Sequence, residues 1–195
     1  MPERTARGAP LHTRGFTLAE VMTALVVVGI MVAIAAPRLD LTTFRVDGAM
    51  QAAGSTLLAA QRAAVVRQHD VVVAFQTDGG LIRVHEDADN DGLLDAGETV
   101  GFTELGEGVV FGRGGAPAHP VGAGPVTFAR RQGGVPCVTF HRNGTASEEG
   151  GAYLTTQAAA RTGSKPATAR LVRVDRATGR ASWFRYSGGR WEQGF

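Results

Sequence analysis

Residues 14–36 read RGFTLAEVMTALVVVGIMVAIAA, and Glu20 carries the only charge within residues 16–36. As a helix rising about 1.5 Å per residue, residues 16–36 span roughly 31 Å, close to the ~30 Å hydrocarbon thickness of a bilayer. Arginines precede the apolar residues 16–36 at positions 4, 7 and 14. The positive-inside rule places such a basic flank in the cytoplasm. The sequence therefore predicts one membrane-spanning helix, with everything after Ala36 on the outer side.

A cleaved secretory signal is the alternative for this stretch, because residues 33–35 read AIA and imitate an A-x-A processing site. Two features argue against a cleaved signal. The apolar run of residues 16–36 is longer than the ~7 to 15 residues of a usual signal core, and Pro37, directly after the run, is expected to hinder signal peptidase. An acid in a membrane helix also costs about 2.5 to 3.5 kcal/mol, so Glu20 is expected to serve a function and to need a cationic partner.

Residues 14–20, RGFTLAE, followed by an apolar helix resemble the class III signal of type IV pilins and type II secretion pseudopilins. The resemblance implies that a prepilin peptidase removes residues 1–15 as a leader, cutting after Gly15 and methylating the new amino terminus of Phe16. It further implies that Glu20 pairs with the Phe16 ammonium of a neighbouring subunit during filament assembly. Opposite charges attract strongly in a low-dielectric core, where either charge alone is costly.

An apolar stripe follows in residues 37–69, spaced by alternating fours and threes as on one face of a helix. Its members are Val46, Met50, Ala53, Leu57, Ala60 and Ala64. The pattern predicts an amphipathic continuation, giving one long helix from about residue 16 to about residue 68, bent at Pro37. The stripe is expected to pack against the rest of the chain.

Residues 70–195 are predicted to form an extracytoplasmic β domain, because the pattern changes to short runs typical of strands. The runs lie at 71–77, 81–86, 99–103, 109–111, 126–130, 135–141, 170–175 and 181–186. Residues 112–125 and 155–168 are predicted to be mobile loops. The expected fold class is α+β, with a long N-terminal helix, membrane-spanning in its first half, packed on an antiparallel β-sheet or a small β-sandwich.

This order of a long helix, a strand pair around an acidic loop and a closing β domain resembles the GspH/FimT family of minor pilins and pseudopilins. The resemblance is specific only at residues 14–20. It implies a minor type IV pilin, a structural subunit that primes or caps pilus assembly, or alternatively a GspH-like minor pseudopilin of type II secretion. The expected location is the bacterial inner membrane, with a periplasmic β domain. The implied partners are other pilins, the prepilin peptidase, the inner-membrane platform and the assembly ATPase.

The segment from Asp87 to Glu98 reads DADNDGLLDAGE and has the spacing of a calcium loop. Oxygen ligands are predicted from Asp87, Asp89, Asp91, the Leu93 carbonyl, Asp95 and Glu98, with glycine at position 6 for the sharp turn. Strands are expected on both sides, unlike the helices of an EF-hand. The alternative is a solvated acidic hairpin loop, and a bound Ca²⁺ would have a structural role.

Charge is distributed unevenly around this loop. Ten acids and one base lie between residues 70 and 107, whereas residues 161–195 hold eight bases and two acids, which gives 8 − 2 = +6. In the basic segment Arg180, Arg185 and Arg190 alternate with aromatic residues, a pattern that could grip phosphates and stack bases. A DNA-binding minor pilin in DNA uptake is therefore the alternative of another class, against a solvated arginine-rich strand pair.

Catalytic motifs give little support for an enzyme. Lys165, the only lysine, follows serine and excludes a GxxxxGK[ST] phosphate-binding loop, and the sequence contains no HExxH or GxSxG. The five histidines are scattered and are expected at the surface, whereas the single cysteine, Cys137, is expected to be a small buried hydrophobe. One cysteine also excludes an internal disulfide.

Overall fold

The computed structural model describes residues 16–35 and 41–194. The chain divides into two compact units, Met1–Asp40 and Leu41–Phe195. The leader predicted at residues 1–15 and the bend predicted at Pro37 lie outside the described residues. The helices are α1 (Leu18–Ala35), α2 (Leu41–Arg67) and α3 (Gln157–Thr162), with a 3₁₀ turn at Pro166–Thr168.

Helix α1 is the described part of the first unit. Its sequence is apolar except for Glu20 in the first turn, and every side chain described from residue 16 to residue 34 is exposed. No helix within residues 16–35 and 41–194 reaches the combination of length and apolarity needed to cross a membrane.

Helix α2 packs on the sheets of the second unit through the stripe that the sequence predicts. All six predicted stripe residues are buried, and Ala49 and Gly54 are buried beside them. Gly54 permits the closest approach, because a Cβ atom built there would lie 2.2 Å from the indole nitrogen of Trp183. On a flank of the stripe, the buried Arg170 forms an ion pair with Asp47.

Ten strands form two antiparallel five-stranded sheets. Sheet A has the order β3-β2-β1-β6-β5, and sheet B has the order β10-β9-β8-β7-β4. The strands are β1 (Asp70–Gln76), β2 (Leu81–Asp87), β3 (Val100–Glu104), β4 (Val109–Phe111), β5 (Arg131–Gln132), β6 (Val135–Phe140), β7 (Gly150–Thr156), β8 (Arg170–Val174), β9 (Ala181–Ser187) and β10 (Arg190–Gln193).

One apolar core joins α2 to both sheets, so the second unit confirms the α+β class. Val73 and Phe75 of β1 and Leu154 and Val172 of sheet B share this core with Leu57 of α2. The rings of Phe75 and Phe128 stack with their centroids 5.3 Å apart. Side chains alternate between the two faces of a strand, so Val73 and Phe75 of β1 lie in this core, whereas Val72 and Ala74 lie on the other face of sheet A.

Two sequence predictions about the β domain are wrong. Residues 126–130 form no strand, and only Val126 makes an isolated bridge, to Ala152. Residues 155–168 contain the end of β7, helix α3 and the 3₁₀ turn rather than a mobile loop. Helix α3 begins where the Thr156 hydroxyl accepts the Ala159 N–H, and it ends at Gly163 in the left-handed conformation.

Strand β7 was not predicted, although all seven of its residues are buried. Its first two residues are glycines, which usually indicate a turn. Here they permit close packing, because a Cβ atom on Gly150 would lie 2.3 Å from the Phe128 ring and one on Gly151 would lie 2.7 Å from the Val172 carbonyl oxygen. The glycines therefore mark tertiary contacts that neighbouring sequence does not reveal.

Residues 112–125 are irregular, as predicted, but they pack around a buried side chain. The Tyr153 hydroxyl accepts the His119 N–H at 2.9 Å and donates to the Gly122 carbonyl at 2.7 Å. Burial raises the pKa of this phenol above its ordinary value. The segment thus covers the outer face of sheet B.

Candidate functional site

The N-terminal processing site is described from Phe16 onward, since Gly15 lies outside the described residues. Phe16 is 82% exposed. Thr17 caps α1, because its hydroxyl accepts the Glu20 N–H at 3.2 Å and its carbonyl accepts the same N–H at 3.1 Å. The spacing from Thr17 to Glu20 is that of a capping box, so Glu20 also suits the first turn, where the helix dipole favours an acid.

The acidic loop between β2 and β3 brings three of the predicted calcium ligands together. Asp87, Asp89 and Asp91 each offer a carboxylate oxygen, and these oxygens lie within 4.8 Å of one another. Oxygen atoms that share one Ca²⁺ at about 2.3 to 2.6 Å are separated by comparable distances. Asp87, at the end of β2, accepts the backbone N–H groups of Asp91 and Gly92, which folds the loop back over it.

Two further predicted ligands, the Leu93 carbonyl and the Glu98 carboxylate, contact other groups of the protein. The Leu93 carbonyl oxygen lies 3.1 Å from Nε2 of His85, and Glu98 accepts the backbone N–H groups of Ala88 and Asp95, each at 3.0 Å. Glu98 therefore closes the base of the loop. The carbonyl of Leu93 keeps a second lone pair for another partner.

Two carboxyl groups of this loop have raised pKa values. Burial chiefly raises the pKa of Asp87 above its ordinary value, and the negative charge of Glu98 adds to the rise. The pKa of Asp95 is also raised, first by the negative charge of Asp91. The repulsion from neighbouring carboxylates that contributes to both shifts is a cost of concentrating negative charge, which a bound cation would relieve.

Two residues that fix the loop were missed by the sequence analysis. His85 is fully buried, so the prediction that each histidine is an incidental surface residue is wrong for it. Gln132 of β5 donates from Nε2 to the Gly92 carbonyl at 2.8 Å and accepts from Arg83 at 2.7 Å. Nothing local indicated either residue, because strand alternation places His85 on the same face of β2 as the charged Arg83 and Asp87.

The three arginines predicted to contact nucleic acid are exposed but are not equivalent. Arg180 lies in the turn before β9, Arg185 on β9 and Arg190 on β10. The carboxylate of Glu192 lies 3.5 Å from Nε of Arg185 and 3.3 Å from Nε of Arg190, so one acid partly neutralises both.

The aromatic residues that alternate with these arginines are engaged within the protein. Trp183 packs on the core beside α2, whereas Trp191 contacts Tyr153 and Tyr186 and donates to the Pro117 carbonyl at 3.0 Å. In a strand pair, Arg185 and Trp191 face opposite sides, since Trp191 is in register with Tyr186. Nucleic-acid contact through these arginines stays a prediction.

Cys137 is buried beside Val72 and Ala74 on the outer face of sheet A, as predicted. Burial raises the pKa of its thiol above the ordinary value, so the reactive thiolate is disfavoured. This environment fits a small packed side chain.

Comparison with known proteins identifies the class of the N-terminus. Residues 11–36 match the family model described as the prokaryotic N-terminal methylation motif. The match confirms the pilin-like motif that the sequence predicts, with Phe16 and Glu20 inside the matched range.

Among solved structures, the chain is similar to the minor pseudopilin EpsH from the Type 2 Secretion System of Vibrio cholerae. The alignment has 14% identity and a TM-score of 0.46, and it covers 72% of this chain and 97% of that chain. No curated protein is similar enough to this chain to count as a match.

Proposed function

We propose that this chain is a minor type IV pilin, a structural subunit that primes or caps pilus assembly after prepilin peptidase processing. The observation that carries the proposal is the methylation motif at residues 11–36, joined to a helix whose described side chains are all exposed. An apolar helix without a packing partner in its own described unit needs lipid or other subunits around it.

Glu20 supplies the step that links processing to assembly. Cleavage after Gly15 creates a positively charged amino terminus at Phe16, one helical turn from the carboxylate that follows at position 20. In lipid Glu20 is expensive, whereas beside the Phe16 ammonium of a neighbouring subunit the two charges compensate each other. The pairing therefore favours the filament and sets its axial register. Residues 16–36 serve as the membrane anchor before assembly, with the β domain in the periplasm.

The implied partners are a prepilin peptidase, other pilins, the inner-membrane platform and the assembly ATPase. A minor pseudopilin of type II secretion would use the same processing and the same helix. Deleting the chain in its host separates the two readings: loss of surface pili supports the pilus, and loss of protein secretion with intact pili supports the pseudopilus.

The first test is the intact mass and N-terminal sequence of the protein purified from its native membrane. A mature chain that starts at N-methylated Phe16 is expected. A chain that starts near Pro37 would be a secreted β domain and would overturn the proposal. Next, Glu20→Gln should abolish incorporation into filaments, and the conservative Glu20→Asp should retain part of it. Cleavage after Gly15 provides the check that both variants reach the membrane.

A structural Ca²⁺ in the acidic loop is the second candidate function. The three carboxylates of Asp87, Asp89 and Asp91 favour it, because their oxygens already lie within 4.8 Å of one another. Bound Ca²⁺ would compensate the crowded charge and hold the loop against β5 through Gly92 and Gln132. Its affinity is expected to be about 10⁻⁴ to 10⁻³ M, as in extracellular modules.

Calorimetry on the full chain in detergent tests this candidate. Ca²⁺ should release heat and raise the melting temperature, and Asp89→Asn should abolish both effects. The matched control is Asp78→Asn, which removes an exposed acid in the β1–β2 turn, outside the loop. Absence of heat with the wild-type chain, or equal losses in both variants, would exclude the site.

A further inference from the structure

Strand β3 is an unprotected edge of sheet A. Within residues 41–194 it pairs only with β2, and its five residues are exposed except for Thr103, which is half-buried. Phe102 is 59% exposed and Val100 is 38% exposed, on the face that they share with Arg83 and His85. An exposed, apolar strand edge offers unpaired N–H and C=O groups to another strand.

Acidic side chains flank this edge. Five exposed acids flank β3, and none of them forms an ion pair with any residue that the structure describes: Asp89, Asp91, Asp95, Glu104 and Glu107. The first three precede the strand and the last two lie at its end or just after it. A surface with an apolar centre and an acidic rim favours a partner with basic side chains.

The opposite edge of the second unit, in sheet B, carries basic side chains. Strand β10 closes sheet B and pairs only with β9 among the described strands. The Arg190 side chain is 79% exposed, and Arg185 lies on the neighbouring strand. Glu192 lies near both arginines, and residues 181–193 hold two bases and one acid, which gives a formal charge of 2 − 1 = +1.

We propose that β3 of one copy pairs edge to edge with β10 of a second copy of this chain. A contact between two β3 edges would oppose acid to acid, and a contact between two β10 edges would oppose base to base. The β3–β10 contact instead joins opposite charges and covers Phe102. The contact is heterologous, because the two copies contribute different strands. This inference goes beyond the proposed function, since it does not depend on cleavage at Gly15.

Cross-linking between two differently tagged full-length variants in detergent tests the contact. Gly101→Cys places a thiol on β3, where an added Cβ meets no atom within 4 Å, and Gln193→Cys places one on the exposed end of β10. A short bismaleimide should link the two variants in a mixture and should not link either variant to itself. The control replaces Gln193→Cys with Arg161→Cys, on the exposed face of α3.

Charge reversal tests the cause of the contact. Glu104→Lys with Glu107→Lys should lower the cross-linking yield several-fold, and Arg185→Glu with Arg190→Glu on the other copy should restore it. High salt should also lower the wild-type yield, because exposed charges are screened. Equal yields with Arg161→Cys, links within Gly101→Cys alone, or a yield unchanged by charge reversal would overturn the proposal. Processing at Phe16 is measured separately, so the two proposals fail independently.

Discussion

Helices α1 and α2 follow each other in the chain but use apolar residues in opposite ways. Helix α1 is apolar on all sides, and every described side chain on it is exposed. Helix α2 concentrates its apolar residues on one stripe, and eight of its 27 residues are buried against the two sheets. The distribution around the helix, rather than the amount of apolar surface, therefore tells where the packing partner lies. The residues that α2 packs against lie within its own unit, whereas the described side chains of α1 are exposed all round the helix.

The largest expected effect separates the two helices directly. Leu57→Ala in α2 should lower the free energy of unfolding of the β domain by about 2 to 5 kcal/mol, because it leaves a cavity in the core shared by both sheets. The matched change in α1, Leu25→Ala, removes an exposed side chain and should shift it by less than about 0.5 kcal/mol. Urea unfolding followed by tryptophan fluorescence measures both. Equal losses in the two variants would break the comparison.

Replacing either of two glycines in α2 gives the next largest effect. The two substitutions should change the free energy of unfolding in opposite directions. Gly54→Ala forces the Trp183 indole to move, since the new Cβ would lie 2.2 Å from its nitrogen, and should destabilise the domain by about 1 to 3 kcal/mol. Gly48→Ala meets no atom within 4 Å and should stabilise it by about 0.4 to 1 kcal/mol through helix propensity and a less flexible unfolded chain. A blue or red shift of Trp183 fluorescence in Gly54→Ala alone provides the structural check.

The same contrast explains what the sequence could predict. A stripe repeats every three or four residues, so the buried face of α2 and its six predicted members follow from spacing alone. Seven of the eight predicted strands are present for a similar reason, since each alternates or runs apolar between turn residues. The N-terminal motif was predictable because adjacent residues carry it.

Contacts between distant residues were not predictable from any local pattern. The glycines of β7 face Phe128 and Val172, and Gln132 holds the acidic loop from 40 residues beyond Gly92. In the candidate calcium site, spacing indicated six ligands. Of the five carboxylates among them, the three nearest the end of β2 converge, whereas Glu98 accepts the backbone N–H groups of Ala88 and Asp95.

A smaller effect tests whether the polar flank of α2 also stabilises the β domain. Gln61 donates from Nε2 to the carbonyls of Gly144 and Thr178, at 2.9 and 2.7 Å, and so joins two turns. Gln61→Ala should cost about 1 to 2 kcal/mol of unfolding free energy, because both hydrogen bonds are lost. Gln51→Ala, on the exposed side of the same helix, is the control and should cost less than about 0.5 kcal/mol. If both variants cost the same, the flank of α2 would contribute only helix propensity.

The smallest effect concerns the pH dependence of the turn that Gln61 holds. The Asp175 carboxylate accepts the Thr178 hydroxyl at 2.7 Å and the Thr178 N–H at 2.9 Å, and chiefly the hydroxyl contact lowers the pKa of Asp175 below its ordinary value. The ionised carboxylate is thus favoured in the folded state. Its stabilisation is complete above the ordinary carboxyl pKa, about 3.9, and is lost as pH falls through the lower folded value.

Asp175→Ala should accordingly lower the urea midpoint at neutral pH, and its difference from the wild type should shrink progressively below about pH 4. Thr178→Val should reproduce most of the neutral-pH loss, because it removes the hydroxyl that contributes most to the pKa shift. The control variant is Asp78→Ala, which removes an exposed acid in the β1–β2 turn. A difference for Asp175→Ala that stays constant down to about pH 2 would show that packing of the turn against α2, rather than ionisation of Asp175, stabilises this end of the domain.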